Sequence, residues 1–244
     1  MKTKVGLIGK GEWGLKIKKK LNKIADVQFI IGKKENLINL IKKKQVEWVF
    51  IATPNNTHYS LVKTCLQKKV NVFCEKPLSL SLIEAKKLVS FARKRGLKLY
   101  VSDLYSFYSF KFNKLKNKNY VYRGKLINEK NPEFLNRLMY HDLDILYKFL
   151  KNDSVKIFRV KLNNKKKIYE ILLRLKSKKE ISFKYNLNSN NKIHTINNFN
   201  IRTKEDYLNK MIKNVLYRKV NYKSNNLKAL FIIKFLNFVK REIE

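Results

Sequence analysis

Lys4-Val5-Gly6-Leu7-Ile8-Gly9-Lys10-Gly11-Glu12-Trp13-Gly14 is the stretch whose reading decides the fold. Val5, Leu7 and Ile8 make an apolar run long enough for one buried parallel strand. Gly9, Gly11 and Gly14 follow at the spacing G-x-G-x-x-G. Glycines there allow a tight turn, close approach of backbone to a pyrophosphate, and close packing of helix on strand. Trp13, Ile17, Leu21 and Ile24 then recur at helical spacing, so the helix start aims free N–H groups at an anion. A strand before the glycines and a helix after them is the context a dinucleotide-binding turn requires. Lys10, Glu12 and Trp13 are assigned to the cofactor-binding turn together with the three glycines.

Outward from this turn, strands are expected at Val27 to Ile31, Val46 to Thr53, Asn71 to Cys74 and Leu97 to Val101. Helices are expected around Asn36 to Lys43, from Asn56 or Thr57 to about Lys68, and from Ser81 to Gly96. Ser81 and Glu84 have the spacing of a capping box. Strand–helix alternation with such short connections indicates a parallel sheet covered on both faces. Residues 1–105 are therefore assigned to a Rossmann-type dinucleotide-binding domain.

Residues 106–244 differ in kind and are assigned to a substrate and oligomerisation domain of α+β type. A short amphipathic segment from Phe110 to Leu115 leads to a strand at Tyr120 to Ile127, and Leu138 to Leu150 reads as a helix. Strands at Val155 to Leu162, Lys167 to Leu175 and Ile181 to Leu187 suggest a mostly antiparallel sheet. Asn188 to Lys192 reads as a loop, and His194 as a loop or sheet residue with no assigned role. Asn225 to Glu244 is a helix with a wide apolar stripe. The run Ile168-Tyr169-Glu170-Ile171-Leu172-Leu173 is apolar on both faces for part of its length, which implies a second copy and a symmetric homo-oligomer.

The chain of 244 residues carries 56 Lys and Arg against 18 Asp and Glu, a formal charge of +38. So large a charge invites a nucleic-acid reading. The basic residues are spread along the chain, however, and Lys, Asn, Ile, Phe and Tyr are abundant together. Bias from an A/T-rich genome is therefore favoured over a nucleic-acid partner. Cys65 and Cys74 show no metal-ligand spacing, so no metal site is expected and a reducing, cytoplasmic compartment fits. No apolar run reaches the length of a membrane span, and no membrane partner is expected.

Ala52-Thr53-Pro54-Asn55-Asn56-Thr57-His58 and Cys74-Glu75-Lys76-Pro77-Leu78, behind the glycine turn, resemble the glucose–fructose oxidoreductase/inositol dehydrogenase (Gfo/Idh/MocA) family. The likeness is close over residues 1 to about 105. Beyond that it rests on Tyr140-His141-Asp142-Leu143-Asp144-Ile145-Leu146, similar to the family's helix bearing a catalytic histidine. The resemblance implies an NADP- or NAD-dependent oxidoreductase acting on a sugar or nucleotide-sugar. Thr53, Pro54, Asn55 and His58 match the cofactor-side loop. Glu75, Lys76 and Pro77 match the signature whose lysine sits beside nicotinamide and substrate. Lys76 and His141 are the implied catalytic residues, with Asp144 on the histidine's helix face. His58 reads as a positioning histidine. Many family enzymes carry an aspartate four residues before the helix histidine; Arg137 stands here, and with Asp144 it is assigned to the substrate. The family's second strand often ends in a carboxylate that holds the ribose; Gly32 and Lys33 occupy that place, and Lys33 is assigned to the cofactor. The competing reading is a dinucleotide-binding sensor or assembly protein with impaired turnover.

Overall fold

The computed structural model describes residues 1–32, 36–108, 114–127, 133–153, 155–163, 165–201 and 206–243, except the side chains of 155–158, 162 and 243. Most of the amphipathic segment expected at 110–115 lies outside the described residues, as do Lys33, Lys34 and Glu35. The chain divides into two compact units, Met1–Phe107 with Asp206–Lys234, and Tyr108–Glu205 with Phe235–Glu244.

In the first unit, five strands form a parallel sheet in the order β2-β1-β3-β4-β5. They are β1 (Lys4–Ile8), β2 (Asp26–Ile31), β3 (Trp48–Ile51), β4 (Asn71–Cys74) and β5 (Leu99–Val101). Helices α1 (Glu12–Ile24), α2 (Leu37–Lys44), α3 (His58–Gln67) and α4 (Leu82–Lys94) connect them in turn. Right-handed crossovers in this order place α1 on one face and the next three helices on the other. The packing follows: Ile31, Val49, Ile51, Val72 and Val101 meet apolar residues of α2, α3 and α4. Leu7, Phe50, Phe73 and Tyr100 face α1, which is too narrow to cover β3 to β5.

The missing cover comes from the far end of the chain. Helix α6 (Tyr207–Leu216) sets Leu208, Met211, Ile212 and Val215 into the α1 face. Asp206 caps α6 and pairs with Lys20 of α1. Helix α7 (Tyr222–Ile243) begins with Tyr222 against the rings of Trp48 and Tyr100. Three residues on, Asn225 hydrogen-bonds both the N–H and C=O of Val101 at 2.8 and 2.9 Å, closing the edge of β5 as a strand would. Ala229 and Ile233 then join the opposite face. The expected division at residue 105 therefore differs from the packing, which returns 206–234 to the first unit.

The second unit has six strands in the order β11-β10-β6-β9-β8-β7, in which only β6 and β9 run parallel. They are β6 (Lys118–Leu126), β7 (Val155–Asn163), β8 (Ile168–Leu175), β9 (Glu180–Asn186), β10 (Asn188–Ile196) and β11 (Phe199–Asn200). Asn188 to Lys192, expected as a loop, is the start of β10: Asn188 pairs with Leu126 of β6, regular pairing resumes at Ile193 with Gly124, and the residues between form an irregular bulge. One sheet face is buried through Val121, Ile171, Leu173, Ile181, Phe183 and Tyr185. The other carries the ion pairs Lys184–Glu170 (2.9 Å) and Arg174–Glu180 (2.8 Å) and the exposed Tyr120. A π-helical turn, Leu135–Met139, runs directly into α5 (Tyr140–Leu150). Among the described residues no helix is long and apolar enough to cross a membrane.

Candidate active site

The glycine turn is built by contact rather than by preference alone. Gly9 has φ +119°, and a Cβ on it would lie 2.1 Å from the carbonyl oxygen of Ala52. A Cβ on Gly14 would lie 2.1 Å from the carbonyl oxygen of Gly9, so the helix can approach the strand only without a side chain there. Gly11 is the opposite case: a Cβ would meet nothing within 4 Å. It caps α1 without a side-chain hydrogen bond, which leaves the first N–H groups of the helix for an anion. Beside it a cleft of about 370 Å³ is lined by Gly9, Gly11, Gly32, Leu37, Thr53 and Leu61 among others. An open glycine, a free helix start and an apolar cleft fit the phosphates and adenosine end of a dinucleotide. Lys10 also lines this cleft, whereas Glu12 is exposed and pairs with Lys16 at 2.6 Å.

Two loops at the carboxyl ends of β3 and β4 complete this edge of the sheet. In the first, Thr57 Oγ1 bonds Thr53 Oγ1 and the Pro54 carbonyl, each at 2.7 Å, around a 3₁₀ turn that begins at Asn55. His58, with no exposed surface, has Nδ1 2.7 Å from the Pro77 carbonyl and Nε2 2.9 Å from the Thr53 carbonyl. Its ring thus bridges the two loops. Burial lowers its pKa, against the raising effect of the two carbonyls, and the Lys76 charge lowers it further.

Glu75 is 8% exposed, and its Oε1 has no hydrogen-bond partner among the described residues. Burial raises its pKa, while hydrogen bonds from the side chains of Trp13 and Ser102 and the charge of Lys76 act the other way. Lys76 is half-buried and precedes a cis peptide to Pro77. The first unit thus brings together Gly9, Lys10, Gly11, Glu12, Trp13 and Gly14 with Thr53, Pro54, Asn55, His58, Glu75 and Lys76.

His141, Arg137 and Asp144 lie in the second unit. His141 is half-buried in the first turn of α5, and Asp144 is buried one turn on. Arg137 is exposed on the π-helical turn, so its four-residue spacing to His141 is not an α-helical one.

Between His141 and Asp144 sits a residue the sequence reading left without a role. Asp142 is fully buried and receives Arg123 of β6, Tyr185 of β9 and His194 of β10. Arg123 Nε donates to its two oxygens at 2.9 and 3.0 Å, and Arg123 Nη2 lies 2.8 Å from Oδ1. Tyr185 donates its hydroxyl at 3.0 Å, and His194 Nε2 lies 2.8 Å from Oδ1. His194 thus belongs to a buried network. Burial raises the Asp142 pKa, but Arg123 and His194 together outweigh it and hold the carboxyl below its usual value. A carboxyl with a depressed folded-state pKa contributes stability above its unfolded value near 3.8 and loses it as pH falls through the folded value. Asp142→Asn is expected to destabilise the protein by about 3–5 kcal/mol at pH 7, because it leaves Arg123 buried without its charge partner. The deficit relative to the unmodified protein should shrink below pH 4 in acid-titrated thermal melts. A constant deficit down to pH 2 would count against this assignment.

Comparison with known proteins agrees with this architecture. The oxidoreductase family with an NAD-binding Rossmann fold (Gfo/Idh/MocA) matches residues 4–103. The myo-inositol 2-dehydrogenase of Thermotoga maritima is 38% identical over 61 residues, 25% of this chain and 18% of that protein. The inositol 2-dehydrogenase of Rubrobacter xylanophilus is 43% identical over 65 residues, 27% of this chain and 19% of that protein. These matches span less than a fifth of either relative's length. The fold extends further: a UDP-N-acetylglucosamine 3-dehydrogenase from Acidithiobacillus ferrooxidans superimposes with a TM-score of 0.77 at 16% identity, covering 98% of this chain and 97% of that one. GenD2 from gentamicin A biosynthesis, solved in complex with NAD, gives 0.73 at 13% identity over 97% of this chain and 92% of its own. The match places the glycine turn and the Glu75-Lys76-Pro77 loop within residues 4–103, which are similar to the NAD-binding Rossmann domain of the Gfo/Idh/MocA oxidoreductase family.

Proposed function

We propose that the protein is an NAD(P)-dependent oxidoreductase that transfers hydride between a nicotinamide cofactor and a hydroxyl or carbonyl carbon of a sugar or nucleotide-sugar. The observation that carries this reading is the grouping of the glycine turn and the Glu75-Lys76-Pro77 loop at the carboxyl edge of one parallel sheet, with the His58 ring bridging the Thr53 and Pro77 carbonyls. The dinucleotide, when bound, supplies the hydride acceptor or donor. Oxidation of a secondary alcohol also requires its hydroxyl proton to be removed as the carbonyl forms. Lys76 and His141 serve that proton, one accepting it and the other polarising or orienting the oxygen. Arg137, exposed and cationic, suits an anionic substrate such as a sugar acid or a diphosphate-linked sugar. The deciding experiment is titration of the purified protein with NADH and NADPH, followed by a screen of sugars and sugar nucleotides for cofactor oxidation or reduction. The absence of dinucleotide binding would end this reading.

Cofactor choice follows from the end of β2. Gly32 stands where a ribose-binding carboxylate would repel a 2′-phosphate, and Lys33 and Lys34 follow it in the sequence. NADPH is expected to bind at least as tightly as NADH in fluorescence titrations at matched salt; a clear preference for NADH would contradict this.

The outward sheet face of the second unit carries exposed Tyr120 beside half-buried Leu172 and Ile168, and we propose that it pairs with a second copy. Sedimentation at micromolar concentration is expected to show a dimer or larger symmetric oligomer; a monomer refutes it. The alternative of a non-catalytic dinucleotide sensor or assembly subunit is favoured by one observation, Arg137 in place of the carboxylate found in many relatives. It wins if the protein binds dinucleotide, turns over no sugar, and His141→Ala changes nothing.

A further inference from the structure

The geometry points to Asp142 as a positioning residue that fixes the aim of His141 by clamping the π-turn and the start of α5 to the sheet beneath. This rests on His141 being the acid/base group proposed above. Two anchors bracket the junction. Ahead of the π-turn, the Phe134 ring stacks on Tyr169 at 4.6 Å and leans on Tyr185 at 5.4 Å between centroids. After it, Asp142 is held by donors from β6 and β9 and by the close contact of His194 from β10. Tyr185 serves both anchors, its ring touching Phe134 and its hydroxyl bonding Asp142.

Between the anchors lie Leu135–Met139, a turn one residue wider than an α-helical turn. A wide turn inside a helix has an α-helical competitor, and slipping to it would rotate every later side chain by about 100°. His141 comes two residues after that turn and immediately before the anchor. With Asp142 bound to three strands, the register of α5 is set where His141 leaves the backbone. A neutral buried contact would exclude water as well, but a carboxylate accepting from two strands, with the imidazole of a third 2.8 Å away, accepts only one placement of the helix. The four groups come from positions 123, 142, 185 and 194, so the clamp forms only when β6, β9 and β10 have assembled.

The test uses the full chain labelled with ¹⁵N-histidine. With three histidines present, its ring spectrum holds three sets of signals, and His58 belongs to the first unit. The double variant Arg123→Leu/Asp142→Leu removes both charges together, and such apolar replacement of a buried pair commonly keeps or raises stability. It is expected to melt within about 5 °C of the unmodified protein, with His58 signals unmoved and His141 signals displaced or broadened. Tyr185→Phe removes one donor while keeping the ring against Phe134, and is expected to move His141 in the same sense by a smaller amount; it decides the matter if the double variant does not fold. Displacement misaligns the acid/base group, so turnover should fall about 100-fold while dinucleotide affinity stays unchanged. A His141 spectrum coinciding with that of the unmodified protein in a folded variant overturns the inference. If His141→Ala leaves turnover intact, the earlier reading of His141 fails instead, and the ring spectrum still decides whether Asp142 sets its aim.

Discussion

If the proposed oxidoreductase reading holds, Lys76→Ala and His141→Ala are each expected to lower the rate of cofactor-linked turnover by about 100- to 10,000-fold, the usual loss when a positioned acid/base group is removed. The two should differ in binding. Lys76 follows Glu75 at the end of β4, and its charge reaches both Glu75 and His58. Removing it disturbs the loop that His58 bridges to the Thr53 loop, so dinucleotide affinity falls together with the rate. His141 lies in the other unit, and its loss should leave dinucleotide affinity close to the original value. Steady-state rates and fluorescence titrations on the two variants separate the effects. Equal rates for His141→Ala and the unmodified enzyme would remove it from the chemistry.

Gly9→Ala is expected to cost about 3–5 kcal/mol, combining backbone strain of about 1–3 kcal/mol with an overpacking term of similar size. The obstacle is backbone: a Cβ would sit 2.1 Å from the Ala52 oxygen and 2.7 Å from its carbon. Ala52 donates to the Ile8 carbonyl at 2.8 Å, and Gly9 itself donates to Ile31 at 2.9 Å. Neither side can retreat without opening the sheet. Gly11→Ala supplies the contrast. Its Cβ points into open space, so stability should change by less than about 0.5 kcal/mol. That same space belongs to the proposed phosphate site, and dinucleotide affinity should fall about tenfold or more, at least ~1.4 kcal/mol. Equal losses of stability in both variants would show that the open side of Gly11 is not what separates fold from binding.

The division between what could be read and what could not follows the range of the interactions. The first sheet was legible because each strand and helix announces itself within a dozen residues, and the loops at its carboxyl edge carry compact motifs. Helix α6 went unread, although Leu208, Met211, Ile212 and Val215 have helical spacing behind the capping Asp206: the lysines and asparagines between them obscured the stripe. The start of strand β10 was not legible, since Asn188-Ser189-Asn190-Asn191-Lys192 is a polar bulge between the residues that pair with β6, Asn188 and Ile193. Nor was the Asp142 network, whose members are brought together by four separate elements. No local spacing relates Arg123, Asp142, Tyr185 and His194, and nothing in Leu135 to Met139 marks a π-turn.

The return of α6 and α7 to the first sheet has a consequence for how the protein is made. When residue 107 leaves the ribosome, every strand of that sheet exists, yet Phe50, Phe73 and Tyr100 have only α1 beside them and lack the cover of α6. Their cover is encoded about a hundred residues later, and at roughly 5–20 residues per second the nascent chain waits about 5–20 s for it. During that interval an aromatic face and the edge of β5 are open to water and to neighbouring chains. A fragment ending at residue 107 would keep that vulnerability permanently, and should precipitate or bind a chaperone where the whole chain does not.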